Sequence, residues 1–249
     1  MPTKITAIIP ARYSSTRFKG KVLADICGRP MIQHIFERVT KASVIDKVII
    51  ATDDSRIFET VRGFGGDVKM TSSTHRSGTD RISEVAKGLD SDIIINVQGD
   101  EPMIEPEMID QVGSLLLNDR DVKMGTLCTR IANKEELRDP NVVKVVMDKS
   151  GYALYFSRFP IPFNRDNIPY IALPVPCYRH IGLFAYKREF LLKISQLPET
   201  PLEKVERLEQ LRVLEHGYRI KVAETDSTTI GVDTEEDLEK VRSMMKVMG

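Results

Sequence analysis

The chain has 249 residues, 41% of them hydrophobic, enough for one large α/β domain with its own core. Lysine plus arginine equals aspartate plus glutamate at 36 each, so no overall field draws the protein to nucleic acid or to an anionic membrane, and a bound anion has to be met by local charge. The opening stretch, MPTKITAIIPARYSS, holds an apolar run too short for a signal-peptide core or a membrane span, which makes the cytoplasm the expected compartment.

In chain order, Ile5 to Ile9 is apolar and β-branched and reads as a buried strand. Ile9-Pro10-Ala11-Arg12-Tyr13-Ser14-Ser15-Thr16-Arg17-Phe18-Lys19-Gly20-Lys21 follows it directly. Ligands of open α/β sheets sit beyond the carboxyl ends of strands, so four cations and three hydroxyls there make a candidate phosphate cradle; read alone, the stretch is also an ordinary solvated basic loop. It is not a Walker loop, because Val22 follows Gly20-Lys21 and Ser15 stands where the first glycine is needed. From Pro30 to Ala42 the helical period is clear, with Met31, Ile32, Ile35, Phe36, Val39 and Ala42 on one face and Pro30 suited to the first helical position. Val48 to Ala51 predicts the next strand and Arg56 to Gly63 the next helix. Gly63-Phe64-Gly65-Gly66 precedes a strand instead of opening a helix, so it lends nothing to a dinucleotide-binding reading. His75-Arg76-Ser77-Gly78-Thr79-Asp80-Arg81 is a polar loop ahead of a helix over Asp80 to Lys87; it is either a turn or a holder of a pyrimidine ring through backbone groups.

Ile93 to Val97 is the next apolar strand, and Asn96-Val97-Gln98-Gly99-Asp100-Glu101-Pro102 carries Asp100 and Glu101 to its carboxyl end. There a hard cation bridging phosphates needs carboxylate oxygens, although an acidic turn also serves as plain helix capping. A helix is expected over Pro106 to Leu117, then strands over Val122 to Ile131 and Val142 to Ser157. Between Phe159 and Pro176 stand Pro160, Pro162, Pro169, Pro174 and Pro176, which forbid a regular element and point to an ordered arm over a site or a partner. Glu203 to Glu215 reads as one charged helix, Ile220 to Val222 as a strand, and Glu235 to Met248 as a helix behind Thr234 as N-cap. Gly231-Val232-Asp233-Thr234 leads into that last helix and reads first as its cap, with a contribution to chemistry as the alternative. Cys27, Cys128 and Cys177 are widely spaced, without a CxxC pair, and read as small buried hydrophobes. The whole is a doubly wound α/β sandwich on a mostly parallel sheet, with an insertion in its second half.

Taken together these segments resemble the CMP-Kdo synthetases, the 3-deoxy-manno-octulosonate (Kdo) cytidylyltransferases of lipopolysaccharide assembly. The likeness runs from Ala7 to Val241 and includes Ala51-Thr52-Asp53, the stretch from Val97 to Pro102, Gly151-Tyr152-Ala153-Leu154-Tyr155-Phe156-Ser157-Arg158, Leu208-Glu209-Gln210-Leu211-Arg212 and Gly231-Val232-Asp233.

The resemblance implies a three-layer fold of the nucleotide-diphospho-sugar transferase type, a single domain over 1–249, and a homodimer whose interface and acceptor pocket draw on 122–187. It implies a magnesium ion held by Asp100 and Asp233, and a triphosphate loop of Arg12, Ser15, Arg17 and Lys21, with Arg17 and Lys21 also catalytic. Ser77, Gly78 and Asp80 correspond to cytosine recognition. Gln98, Arg158, His180, Tyr186, Glu209 and Gln210 correspond to the sugar-acid pocket, with Arg158 on the acceptor carboxylate. Read alone, His180 is an ordinary strand-end histidine, Glu209 and Gln210 are a solvated helix face, and Tyr186 is half-buried packing. CTP and a sugar acid are the implied substrates, and neither nucleic acid nor membrane is an implied partner; a rival acceptor is the 8-amino analogue of Kdo or another sugar acid.

Overall fold

The computed structural model describes residues 2–14, 18–75, 77–166, 168 and 175–248. In chain order they form β1 (Ile5–Ala11), the two-residue pair β2 (Asp25–Ile26) and β3 (Arg29–Pro30), α1 (Met31–Thr40), β4 (Lys47–Thr52), α2 (Ser55–Gly63), β5 (Val68–Met70), α3 (Gly78–Lys87), β6 (Ile93–Asn96) and α4 (Pro106–Asn118). The second half continues with β7 (Met124–Arg130), α5 (Lys134–Arg138), β8 (Lys144–Met147), β9 (Ala153–Ser157), β10 (Tyr178–Lys187), α6 (Arg188–Ile194), α7 (Pro201–Glu206), α8 (Gln210–Glu215), β11 (Lys221–Glu224) and α9 (Glu235–Met248).

One sheet runs β11-β7-β10-β6-β1-β4-β5, with β8 joined to β10 and β9 to β8. β1 pairs in parallel with β4 on one side and β6 on the other, which is why Ile5 to Ile9 is apolar without alternation: both of its faces are covered. Ile5, Ala7, Ile9 and Ala11 enter a core with α1, α2, α4 and α9, while Ile8 enters the opposite core with α3, α6 and α8. The three-layer, mostly parallel architecture is therefore as expected, with β10 as an antiparallel strand against β6, β7 and β8.

The winding places the site. From β1 the chain moves outward to β4 and β5, then α3 crosses on the opposite face and β6 returns to the other side of β1. The strand order reverses between β1 and β6, so a crevice opens at their carboxyl ends. The two loops leaving those ends touch: a Cβ on Gly99 would lie 2.6 Å from the Pro10 carbonyl oxygen, so only glycine fits there.

Several local expectations shift. Pro30 is the N-cap of α1 and not its first helical residue. The expected helix over Glu203 to Glu215 breaks into α7 and α8, because Arg207 takes a left-handed conformation with φ 52° and ψ 49° and ends the first piece. Cys27 is exposed in the β2–β3 turn; Cys128 and Cys177 are buried. Within 122–187, β7 and β10 are members of the main sheet, and the β8–β9 hairpin extends from β10. Much of the segment from Phe159 to Pro176 lies outside the described residues, and what is described there forms no helix or strand. Among the described residues no helix is long and apolar enough to cross a membrane.

Candidate active site

The centre of the crevice is an ion triad. Lys21 Nζ donates to Asp100 Oδ2 at 2.7 Å, to Asp233 Oδ1 at 3.0 Å and to the Val232 carbonyl at 2.9 Å. Asp100 comes from the loop after β6, Asp233 from the segment before α9, and Val232 N donates to the Asp100 carbonyl at 2.8 Å to join the two. Burial alone would lower the proton affinity of the Lys21 ammonium, but the charges and hydrogen bonds of Asp100 and Asp233 outweigh it and hold its pKa above the ordinary lysine value. Thr234, next in the chain, caps α9 by accepting from Asp237 N at 3.2 Å, so this segment is both cap and site wall.

Around the triad lies a cleft of about 370 Å³ whose walls include Pro10, Arg12, Ser14, Gly78, Gln98 and Gly99. Arg12 has a lowered pKa because it is partly buried and faces the Arg81 guanidinium, while Asp53, Asp80 and Glu209 act in the opposite direction. Arg81 is fully buried and paired to Asp53 Oδ2 at 2.8 Å. Ser15 and Arg17 of the expected triphosphate loop lie outside the described residues.

Gly78 and Gln98 also line a second cavity, of about 200 Å³, so the two spaces adjoin. Thr79, Asn96, Tyr186, Glu209, Gln210 and Arg212 bring its polar groups, with Met124, Phe184, Ile194 and Val213 as apolar wall. Glu209 accepts from Ser77 Oγ and from Thr79 Oγ1, each at 2.9 Å. Burial raises its pKa against the lowering pull of those two hydroxyls. Tyr186 is buried beside it, and desolvation first, then the Glu209 charge, holds the phenol well above its usual range. Asp80 faces an adjoining cavity of about 490 Å³ together with Ser77, Glu209 and Arg212. Ser77 is also the N-cap of α3, accepting from Asp80 N at 3.1 Å, so the cap and the cavity wall are one residue.

Of the expected acceptor group, Gln98, Tyr186, Glu209 and Gln210 meet at one cavity, and Arg158 and His180 line neither space. Arg158 uses its guanidinium on carbonyls: Nε to Glu206 at 2.8 Å, Nη1 to Pro140 at 2.9 Å and Nη2 to Arg207 at 3.4 Å. His180 stands at a bulge of β10, between the rings of Phe156 and Phe184, with Nε2 2.9 Å from Thr126 Oγ1. Thr126 directs its only hydroxyl hydrogen at the Ile181 and Leu183 carbonyls, so its oxygen accepts from His180 Nε2–H. Burial lowers the His180 pKa to about 3, which makes the ring neutral at physiological pH. The solvated-face reading of Glu209 and Gln210 fails because the chain breaks at Arg207, leaving Leu208 and Gln210 buried and Glu209 half-buried.

Thr79, Asn96 and Arg212 carry no expectation from sequence. Thr79 stands in the first turn of α3, whereas Arg212 is fixed by Glu203, through Nε to Oε2 at 2.8 Å and Nη2 to Oε1 at 2.5 Å, a pairing that depends on the helix break at Arg207.

The Asp100 and Asp233 pair fits a hard divalent cation: two carboxylate oxygens that share one ammonium at 2.7 and 3.0 Å can lie no farther apart than those distances together. Magnesium is ordinarily held by one or two carboxylates along with substrate phosphates, and Asp100 and Asp233 could supply the protein's share of such a set.

A family model described as Cytidylyltransferase matches residues 6–221. The chain is 58% identical over 249 residues to a 3-deoxy-manno-octulosonate cytidylyltransferase of Geotalea uraniireducens, covering 98% of this chain and 99% of the relative. It is 56% identical to the enzyme of the same name from Geobacter metallireducens, covering 96% of each. Among solved structures, a CMP:2-keto-3-deoxy-manno-octonic acid synthetase complexed with CTP superposes with a TM-score of 0.93 at 43% identity, over 99% of this chain and 100% of the other. With matches of that identity along nearly its whole length, the chain belongs to the cytidylyltransferase family and, within it, to the 3-deoxy-manno-octulosonate cytidylyltransferases.

Proposed function

We propose that this protein transfers CMP from CTP to the anomeric hydroxyl of 3-deoxy-D-manno-octulosonate, giving CMP-Kdo and pyrophosphate, with Mg²⁺ as cofactor. The observation that carries the reading is the adjacency of two unlike spaces: a charged cleft around Lys21, Asp100 and Asp233 opens past Gly78 and Gln98 into a smaller cavity ending at Tyr186 and Glu209. A triphosphate needs the first and a polyhydroxylated sugar acid the second. Gln98, which borders both and donates to the Gly182 carbonyl at 3.1 Å, stands where the two substrates would react.

Displacement at the α-phosphorus asks the protein for position and charge, not for a covalent nucleophile. In this reading Arg12 and Lys21, with Ser15 and Arg17, hold the phosphates, and Ser77, Gly78 and Asp80 hold the cytosine. Gln98, Tyr186, Glu209 and Gln210 hold the acceptor hydroxyls and His180 the wall behind them, while Arg158 would hold the acceptor carboxylate only by giving up carbonyl bonds that now keep it outside both spaces. Asp100 and Asp233 would hold the magnesium ion, which when bound supplies positive charge to the phosphates and acidifies a nearby hydroxyl. Because triphosphate and acceptor carboxylate repel one another, cations on both sides of the reaction centre offset the approach of two anions. The enzyme acts as a cytoplasmic homodimer supplying lipopolysaccharide assembly, with the exposed Leu154, Phe159 and Phe163 near the β8–β9 hairpin as the apolar surface for the second copy.

The test is pyrophosphate release with CTP, Mg²⁺ and a panel of acceptors. Turnover with Kdo above its 8-amino analogue and above sialic acid is the expected result. Turnover with a sugar phosphate and UTP in their place would overturn the reading, as would CTP binding with no release for any sugar acid.

A further inference from the structure

Lys21 is built into its position. Gly20 ahead of it takes φ 73°, and the Tyr13 ring packs so closely that a Cβ on Gly20 would lie 2.8 Å from it, so the backbone entering Lys21 has little room to move. The side chain then runs inward with 11% of its surface exposed, against 33% for Asp100 and 42% for Asp233. The ammonium thus occupies the point where the two carboxylates act together, and the Val232 carbonyl takes a third hydrogen bond from it. A cation drawn to the same oxygens meets a resident positive charge at contact distance, where one unit charge matters most. A triphosphate in the adjoining cleft offers the same ammonium a set of oxygens carrying more negative charge.

We propose that the Lys21 ammonium is the resident counter-ion of Asp100 and Asp233, that a divalent cation competes with it for those oxygens, and that the nucleotide triphosphate relieves the competition by drawing the ammonium onto itself. The inference rests on the preceding assignment of Asp100 and Asp233 to the cation. It makes cation and nucleotide bind with positive coupling, each raising the affinity for the other by the same factor. It also gives the lysine two tasks: keeping a pair of like charges together before the substrates arrive, and neutralising phosphate afterwards.

The experiment is a Mn²⁺ titration followed by electron paramagnetic resonance of the free ion. It compares the wild-type protein with Lys21→Met and Lys21→Arg, each alone and with α,β-methylene-CTP, which cannot release pyrophosphate, after correction for metal held by free nucleotide. Alone, Lys21→Met is expected to bind Mn²⁺ roughly 10- to 100-fold more tightly than wild type, a change within the reach of one unit charge at a partly buried site. Lys21→Arg keeps the charge and should stay near wild type. Adding the nucleotide analogue should tighten binding in the wild type at least about tenfold, and much less in Lys21→Met. If Lys21→Met binds the metal no better than wild type while the wild-type complex with nucleotide binds it well, the counter-ion proposal falls and the carboxylate assignment stands. If no form binds Mn²⁺, both fall. Should Lys21→Met not fold, judged by circular dichroism, the wild-type protein alone decides: equal Mn²⁺ affinity with and without the analogue overturns the proposal.

Discussion

The crevice between β1 and β6 and the region around β8, β9 and β10 were built from the same kind of chain, yet they organise polar groups in opposite ways. In the crevice, charges face one another across short loops and stay open to the cleft: Lys21 reaches Asp100 and Asp233 with its Nζ, and all three line the same space. Around the hairpin, charges are turned onto the protein itself. Arg158 binds three carbonyls, Lys144 is fully buried with its ammonium on the carbonyls of Asp139, Val142 and Arg158, and Glu206 caps the pair by accepting from Ser157 Oγ at 2.7 Å and Arg158 N at 2.8 Å. Parallel strands explain the first pattern, since each delivers the loop that leaves it to the same, carboxyl end of the sheet. Antiparallel strands send loops to both ends, so a polar residue beside them more often finishes in a structural network. Cations near a binding site are therefore not interchangeable: a guanidinium already engaged by backbone carbonyls, as in Arg158, has to give up those bonds before it can hold a ligand.

The largest effect should come from Asp100. Asp100→Ala is expected to lower kcat/KM by about a thousandfold or more, the scale of losing a charged contact made to the reacting groups, while the melting temperature stays close to wild type. Pyrophosphate release and a thermal melt on the same preparation check both halves. Activity near wild type would remove Asp100 from the reaction and leave the crevice as structural as the hairpin.

Next stands Glu209, which links the two regions by accepting from Ser77 and Thr79 of the loop before α3 while lining the smaller cavity. Glu209→Gln retains shape but replaces one acceptor oxygen by a donor, so one hydroxyl loses its partner. KM should rise for both substrates, with kcat/KM reduced about 10- to 100-fold, the equivalent of one buried hydrogen bond to a charged group. A change confined to one substrate would mean that Glu209 serves that substrate alone.

These two residues also show how far the sequence could be read. The crevice was legible because its loops follow continuous apolar strands, so the position of Arg12, Lys21 and Asp100 at one sheet end follows from strand order. Asp233 was legible only through the family resemblance; its approach to Asp100 depends on the bond from Val232 N to the Asp100 carbonyl, and no local pattern encodes so distant a contact. Local pattern places Glu209 and Gln210 on a solvated face, because helical periodicity carries straight through Arg207 and gives no sign that this residue turns left-handed. Thr79 was missed since a threonine in a turn has many uses. Side-chain direction at a helix break is a tertiary outcome.

Arg158 is the direct test of the contrast. Arg158→Ala is expected to raise the KM for the acceptor about tenfold and leave that for CTP unchanged, as the loss of one partly solvated carboxylate contact would. A fall in melting temperature with both KM values unaltered would instead make Arg158 a structural strut tying Pro140, Glu206 and Arg207, as its hydrogen bonds depict it.

The effect that falls on stability instead of turnover, and the sharpest in sign, belongs to His180. Its folded pKa of about 3 lies below the value of 6.5 expected of an unfolded histidine, because the ring is shut between Phe156 and Phe184. As pH falls below 6.5 the unfolded chain takes up a proton that the folded ring refuses, so stability is present above that value and declines toward pH 3. His180→Gln keeps a side-chain N–H for Thr126 and removes the titration. Between pH 7 and pH 4.5 the wild type should therefore lose about 1 to 3 kcal/mol more stability than the variant, allowing for partial exposure of the residue. Urea melts at the two pH values measure this. Equal losses in both proteins would mean that the ring accepts its proton in the fold, and the Phe156 and Phe184 wall around His180 would then be open to water instead of sealed.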